Sequence, residues 1–157
     1  MHPEMRRSDR KLSDEETREI LEKTEFGVLA TVGEDGQPYG VPLSYAIGEG
    51  KIYLHGTNAG GHKSQNMEAN PNVCFTVVGS NETMPEKFGT KYSSAIVFGK
   101  VRTADSDEER KEAMMALLRK YSGDFMEGGI KYMEASWAKF NVYILEIEEA
   151  VGKARKQ

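Results

Sequence analysis

Apolar positions fall in short runs or alternate with polar ones along most of the chain, the pattern of strands half-buried in a sheet. Phe26-Gly-Val-Leu-Ala-Thr-Val32 is such a run, and Glu34-Asp35-Gly36 after it carries the Asp-Gly signal of a tight hairpin. Pro38 to Ile47 reads as the second strand; Pro38 and Pro42 cannot donate to a ladder, which predicts an edge, a bulge or an irregular segment there. Gly48-Glu-Gly50 turns the chain into a third strand from Lys51 to His55. Asn72 to Val78 and Tyr92 to Arg102 are the fourth and fifth, separated by an irregular stretch, Gly79 to Lys91, that reads as a lid or a surface loop. Phe140 to Glu148 alternates and is the sixth.

Helical signals are fewer and well marked. Ser13-Asp-Glu-Glu16 and Ser106-Asp-Glu-Glu109 have capping-box spacing. The first opens a short helix to about Lys23, with Ile20 and Leu21 facing inward. The second opens an amphipathic helix in which Met114, Leu117, Leu118 and Tyr121 recur at helical spacing and Gly123 is the expected end; the Met114-Met115 pair reads as core packing. A helix from about Lys63 to Ala69 stops before Pro71, and Ile130 to about Trp137 reads as another. Six mostly antiparallel strands with helices between the third and fourth and between the fifth and sixth favour a small closed barrel, because closure removes exposed sheet edges; a sandwich is the alternative. Residues 1–12, with Arg6, Arg7, Arg10 and Lys11, read as a solvated arm before a single domain over 13–157.

Composition narrows the function classes. The 157 residues suffice for one domain with its own core, and 38% hydrophobic with 29% charged residues fits a globular protein. A net charge of -4 argues against nucleic acid as the main partner, and no apolar run approaches the roughly 20 residues of a membrane span. Residues 1–7 lack the apolar core of a signal peptide, and the lone Cys74 permits no internal disulfide, so a cytoplasmic setting is expected.

Candidate chemistry concentrates between the third strand and the helix after it. Gly56, Gly60 and Gly61 precede a helix start at His62 and Lys63. Glycines expose backbone N–H groups, a helix start leaves about four N–H donors unpaired, and Lys63 adds a full charge; together these make a seat for a phosphate dianion. The alternative is an ordinary strand-to-helix turn, since neither the P-loop nor the dinucleotide-turn pattern is present. No protein-borne catalyst stands out. His55 and His62 are not at i, i+4 spacing and lack further close ligands, so no metal site is expected. Cys74 reads as a small buried residue, and Ser93 and Ser94 have no evident triad partners in sequence. A phosphate seat without its own chemistry suits a cofactor that brings the chemistry.

The order of these segments resembles the flavin-binding split-barrel superfamily of the pyridoxamine 5'-phosphate oxidases, and in particular its nitroimidazole-resistance (Nim-type) branch. Its markers are Met5-Arg-Arg-Ser-Asp-Arg10, Gly27-Val-Leu-Ala-Thr31, Asp35-Gly-Gln-Pro-Tyr39, Val41-Pro-Leu-Ser-Tyr45, Ile52-Tyr-Leu-His-Gly56, Gly61-His-Lys63, Asn70-Pro71, Tyr92-Ser93-Ser94 and Phe98-Gly99. The resemblance implies a six-stranded antiparallel split β-barrel of Greek-key type with flanking helices. It also implies a homodimer with FMN in clefts between subunits. The phosphate segment of the oxidases, Thr-Asn-x-x-Ser-Arg-Lys, is matched by Thr57 to Lys63, with Gly61 and His62 in place of serine and arginine. By the same resemblance His55, Gly56, Thr57, Asn58, Gly61, His62 and Lys63 line the phosphate end. Tyr39, Val41, Pro42, Leu43 and Ser44 lie along the flavin ring, and Ser93 adds a hydroxyl. Arg6 and Arg7 approach the cofactor or clamp the partner. Val151-Gly-Lys-Ala-Arg155 is similar to the Nim-type ending and lacks the oxidases' segment for pyridoxal phosphate, so oxidation of pyridoxamine phosphate is not expected. Two classes of function remain. One is an FMN-dependent oxidoreductase reducing a small electron-poor, nitroaromatic-type substrate, with His62 at the substrate side and electrons from a separate reductant. The other is a flavin-, deazaflavin- or haem-binding carrier or sensor.

Overall fold

A computed structural model describes residues 2–157. Seven strands, one more than expected, form a single antiparallel sheet: β1 Phe26–Val32, β2 Pro38–Ser44, β3 Ala46–Gly48, β4 Lys51–Thr57, β5 Asn72–Met84, β6 Gly89–Thr103 and β7 Phe140–Arg155. Four helices accompany them: α1 Asp14–Lys23, α2 His62–Ala69, α3 Asp107–Ser122 and α4 Met126–Ala135.

The strand order is β2-β1-β5-β6-β7-β4-β3. Its two ends, β2 and β3, are consecutive in sequence and joined only by Tyr45. The sheet therefore has to curl until its ends come together at that residue, but β2 and β3 do not pair, so the barrel is a split half-barrel and not the closed one expected from the strand pattern. The extra strand arises because the segment Pro38 to Ile47 is interrupted at Tyr45, whose N–H donates to the Tyr121 hydroxyl at 2.9 Å and not to a ladder.

Three other expectations change. The segment Gly79 to Lys91 is the tip of a long β5–β6 hairpin, paired from Ser80↔Ser93 to Met84↔Gly89. Residues Val78 to Thr83 are all exposed, so no buried face marks this part of β5 as a strand. The sixth expected strand does not stop at Glu148: as β7 it runs on to Arg155, paired with β6 as far as Tyr92↔Arg155. Gly123 ends α3 as its C-cap, as expected, but the chain stays helical beyond it: a 3₁₀ turn to Phe125 leads into α4, which starts earlier than the expected Ile130.

The caps form as the sequence predicts at α1 and in half at α3. Ser13 Oγ accepts from the Glu16 N–H while Glu16 accepts from the Ser13 N–H, at 3.1 and 3.0 Å. Ser106 Oγ accepts from the Glu109 N–H, but the Glu109 carboxylate accepts instead from the Asp105 N–H and from Arg102. Inside the barrel Leu29, Ile52, Phe75, Val97 and Leu145 are fully buried, with Leu21 of α1 at one end. A second core lies outside the sheet, where Leu117 and Ala113 of α3 cover Tyr53, Val142 and Ile144, with Met114 packed against them. The arm lies along the outer sheet face: the Leu12 N–H donates to the Gly152 carbonyl at 3.0 Å, and the His2 ring stacks on Phe98 at 3.8 Å.

Candidate functional site

The loop after β4 is built to leave donors free. Asn58 anchors its start, donating from its amide N–H to the Lys139 carbonyl (3.2 Å) and from Nδ2 to the Ala138 carbonyl (2.7 Å). Gly60 then turns the chain at φ +79°, a conformation that favours glycine. Gly61 caps α2 with no side-chain acceptor, and no acidic residue occupies the first turn. The N–H groups there keep their hydrogen-bonding capacity, and the helix end carries a partial positive charge. Lys63 folds back across β4: a Cβ on Gly56 would stand 3.0 Å from Lys63 Nζ and 3.3 Å from its Cε, so a side chain there would push the lysine aside by a few tenths of an ångström.

Beneath Lys63, α2 is pinned to the sheet. The Tyr143 hydroxyl and Ser64 Oγ are 3.0 Å apart, and Asn141 Nδ2 donates to the same hydroxyl at 3.5 Å. One turn further, buried Asn66 donates to Thr31 Oγ1 of β1 at 3.0 Å. None of these positioning contacts is visible in the sequence, because Tyr143 reads as one more apolar position of an alternating strand.

His62 stacks on Tyr39 with ring centroids 3.9 Å apart and planes 26° from parallel. This joins the start of α2 to β2. Along β2, Val41 and Leu43 pack against the core while Pro42 and Ser44 face outward. As the last strand in the order, β2 pairs only with β1, so its other edge presents free backbone donors and acceptors. A polar cleft of about 540 Å³ opens beside His62, lined by Glu34, Asp35, Gln65, Asn66 and Glu68.

Tyr39, Gly56, Gly61, His62 and Lys63 therefore converge, with Thr57 and Asn58 at the loop's start. His55 is close in sequence but shares its face of β4 with Tyr53 and Val142, whereas Gly56 faces the Tyr143 side. Partial burial of its ring, and then the charge of Lys63, lower its pKa. Ser93 is remote within one chain: it pairs with Ala154, near the opposite end of β7 from Phe140, which pairs with Thr57, and its hydroxyl meets Ser80 Oγ at 2.9 Å. Arg6 is exposed in the arm, and Arg7 donates to Asp9 at 2.7 and 2.8 Å.

The profile of the pyridoxamine 5'-phosphate oxidase family matches residues 13–154. The chain belongs to this family. Solved structures share its fold. A candidate 5-nitroimidazole antibiotic resistance protein from Bacteroides thetaiotaomicron is 22% identical, with a TM-score of 0.79 over 92% of this chain and 86% of that one. An FAD-binding protein from Mesorhizobium loti is 28% identical, with a TM-score of 0.67 over 94% and 98%. The flavocytochrome Anf3 from Azotobacter vinelandii is 20% identical, with a TM-score of 0.77 over 98% and 73%. No curated protein matches the sequence. Among the described residues no helix is long and apolar enough to cross a membrane.

The donor set suits the flavin expected of the family. An uncapped helix start, a lysine held over a glycine and a strand edge with free backbone groups match a phosphate dianion and the polar rim of a planar ring.

Proposed function

We propose that this chain binds FMN and, as a homodimer, reduces a small electron-poor substrate of nitroaromatic type with electrons from a separate reductant. The observation that carries the reading is Lys63 laid over Gly56 at the uncapped start of α2. Lys63 and the first-turn N–H groups hold the phosphate, with Gly61, Thr57 and Asn58 shaping the loop. The edge of β2 from Tyr39 to Ser44 orients the ring. When bound, the flavin supplies hydride or electron transfer. His62, held by its stack on Tyr39, donates a hydrogen bond or a proton from a ring nitrogen to the substrate oxygen.

A second copy has a surface to meet. The outward row Pro42–Val28–Thr76–Ile96–Val151 crosses β2, β1, β5, β6 and β7. Val28, Ile96 and the flanking Phe26 and Val78 are 39–59% exposed, a large apolar area for a free surface. In such a dimer Ser93, His55, Arg6 and Arg7 of one copy are candidates to reach the cofactor of the other.

The test is reconstitution of cofactor-free protein. FMN binds tightly and riboflavin, lacking the phosphate, binds weakly; Lys63→Ala lowers FMN affinity by about 1.5–3 kcal/mol, the scale of a charged hydrogen bond, and leaves riboflavin unchanged. Equal affinity of the wild type for FMN and riboflavin removes the phosphate-seat reading.

One observation favours the carrier or sensor reading with haem. A groove of about 500 Å³ between the arm and the sheet is lined by His2 and Met5, both able to ligate iron, over Ile96, Phe98 and Val151. The visible spectrum separates the two readings: flavin bands support the first, a Soret band the second.

A further inference from the structure

We propose that Lys120 and Tyr121, at the end of α3, form a clamp that fixes the junction of β2 with β3, and that a proton on Lys120 loosens it. The bearing of this clamp on the cofactor rests on the function proposed above; the clamp itself does not. Tyr45 is the one residue between the two ends of the curled sheet and is fully buried. The Tyr121 hydroxyl accepts from the Tyr45 N–H at 2.9 Å and lies within hydrogen-bond reach of the Tyr45 and Glu25 carbonyls. The Tyr45 hydroxyl donates to the Leu21 carbonyl at 2.6 Å. α1, its exit toward β1, the β2–β3 junction and α3 are thus tied at a single residue.

Lys120 reaches into the same junction. Its Nζ stands 3.6 Å from the centroid of the Tyr45 ring and 5.3 Å from that of Tyr121. Among the described residues it is the one buried side-chain nitrogen or oxygen without a hydrogen-bond partner. An ammonium group carries three donors; the Tyr45 face attracts its charge but accepts none of them in full, so it offsets only part of the cost of leaving the buried Nζ without an acceptor. The groups facing it are the Glu25 carboxylate from the α1–β1 connection, the Tyr45 ring from the β2–β3 junction and Tyr121 from its own helix. Desolvation brings Lys120 down to about 8, against the attraction of Glu25. The neutral amine packs on Tyr45 without demand for acceptors. The protonated one is drawn toward Glu25 and water, and pulls on the hydroxyl bridge one residue away. Since Ser44 precedes Tyr45, slack at the junction passes into the strand proposed to orient the flavin ring.

Amide hydrogen exchange at Tyr45, corrected for the intrinsic pH dependence of exchange, reads the clamp in the full-length protein. In the wild type, protection at Tyr45 rises severalfold between pH 7 and pH 9. Lys120→Met, fixed neutral, is protected at both; Lys120→Arg, fixed charged, is poorly protected at both. Tyr121→Phe loses the protection at every pH, while Phe75 in the middle of β5 stays protected. The same pH dependence in wild type and Lys120→Met, or unchanged protection in Tyr121→Phe, overturns the clamp. FMN affinity that stays flat over this range while Tyr45 protection changes overturns its link to the cofactor. A protein that binds no FMN sinks the proposed function and leaves exchange to decide the clamp.

Discussion

His62 has two attributes that pull in different directions. It opens α2 beside Lys63, and its ring stacks on Tyr39 across the gap to β2. If stacking were its whole role, alanine there would change only the packing of Tyr39. As a donor to substrate it contributes to turnover: His62→Ala keeps the fold and most FMN affinity, because Lys63 remains. Reoxidation of reduced flavin by a nitro substrate slows by about 10²–10⁴, the usual range for a positioned acid. Stopped-flow reoxidation at saturating substrate is the measurement, and equal rates would return His62 to a purely stacking role. Lys63 and His62 are legible in the sequence because glycines and a helix start announce themselves locally. Tyr143 and Ser64 are not, since their contact spans 79 positions and neither residue type is unusual in its own element.

Elements were legible where a buried face or a cap marks them. Strand β1 and the capped helices α1 and α3 lie where apolar pattern and capping spacing put them. The hairpin tip of β5 and β6 was not, because its residues have no buried face and its order comes from the ladder itself. The departure at the α3 cap has its own reason. Arg102 of β6 donates to both oxygens of Glu109, at 2.5 and 2.8 Å, and to Glu146 of β7 at 2.8 Å. This fastens the start of α3 to the sheet and holds the Glu109 carboxyl down at about 2, chiefly through Arg102. A depressed acid stabilises the fold above its unfolded value of 4.5 and loses that contribution as pH falls from there toward 2. After allowance for solvent screening the contribution is about 1 kcal/mol. Urea midpoints at pH 7 and pH 3 should therefore draw closer in Glu109→Gln than in the wild type; an unchanged difference removes Glu109 as a source of acid sensitivity.

For the whole molecule, an antiparallel barrel-like fold was legible from short strands and tight turns, with one strand too few; Pro38 and Pro42 marked β2 as a candidate edge, but the one-residue break at Tyr45 that sets β3 apart leaves no mark on an apolar run. The outward apolar row has its consequence at this scale too. Ile96→Glu adds a charge to the outer face without entering the core, so it should leave a folded chain that light scattering finds monomeric and that binds FMN poorly. A dimer of unchanged mass would move the interface elsewhere. The placement of sequence neighbours β2 and β3 at opposite ends of a seven-strand order also bears on how the chain folds. The β5–β6 hairpin needs only a short turn, whereas the curl that begins and ends at Tyr45 is complete only when β1 has met β5 and β4 has met β7. The contacts of Tyr45 with Leu21 and Tyr121 are long-range, which makes them candidates to form after the rate-limiting barrier. Tyr45→Phe, which deletes the hydroxyl donated to Leu21, should leave the folding rate nearly unchanged and speed unfolding about tenfold, the equivalent of one buried hydrogen bond. A chevron plot in which the folding arm drops instead would place this junction in the nucleus, and the barrel would then form from its seam outward.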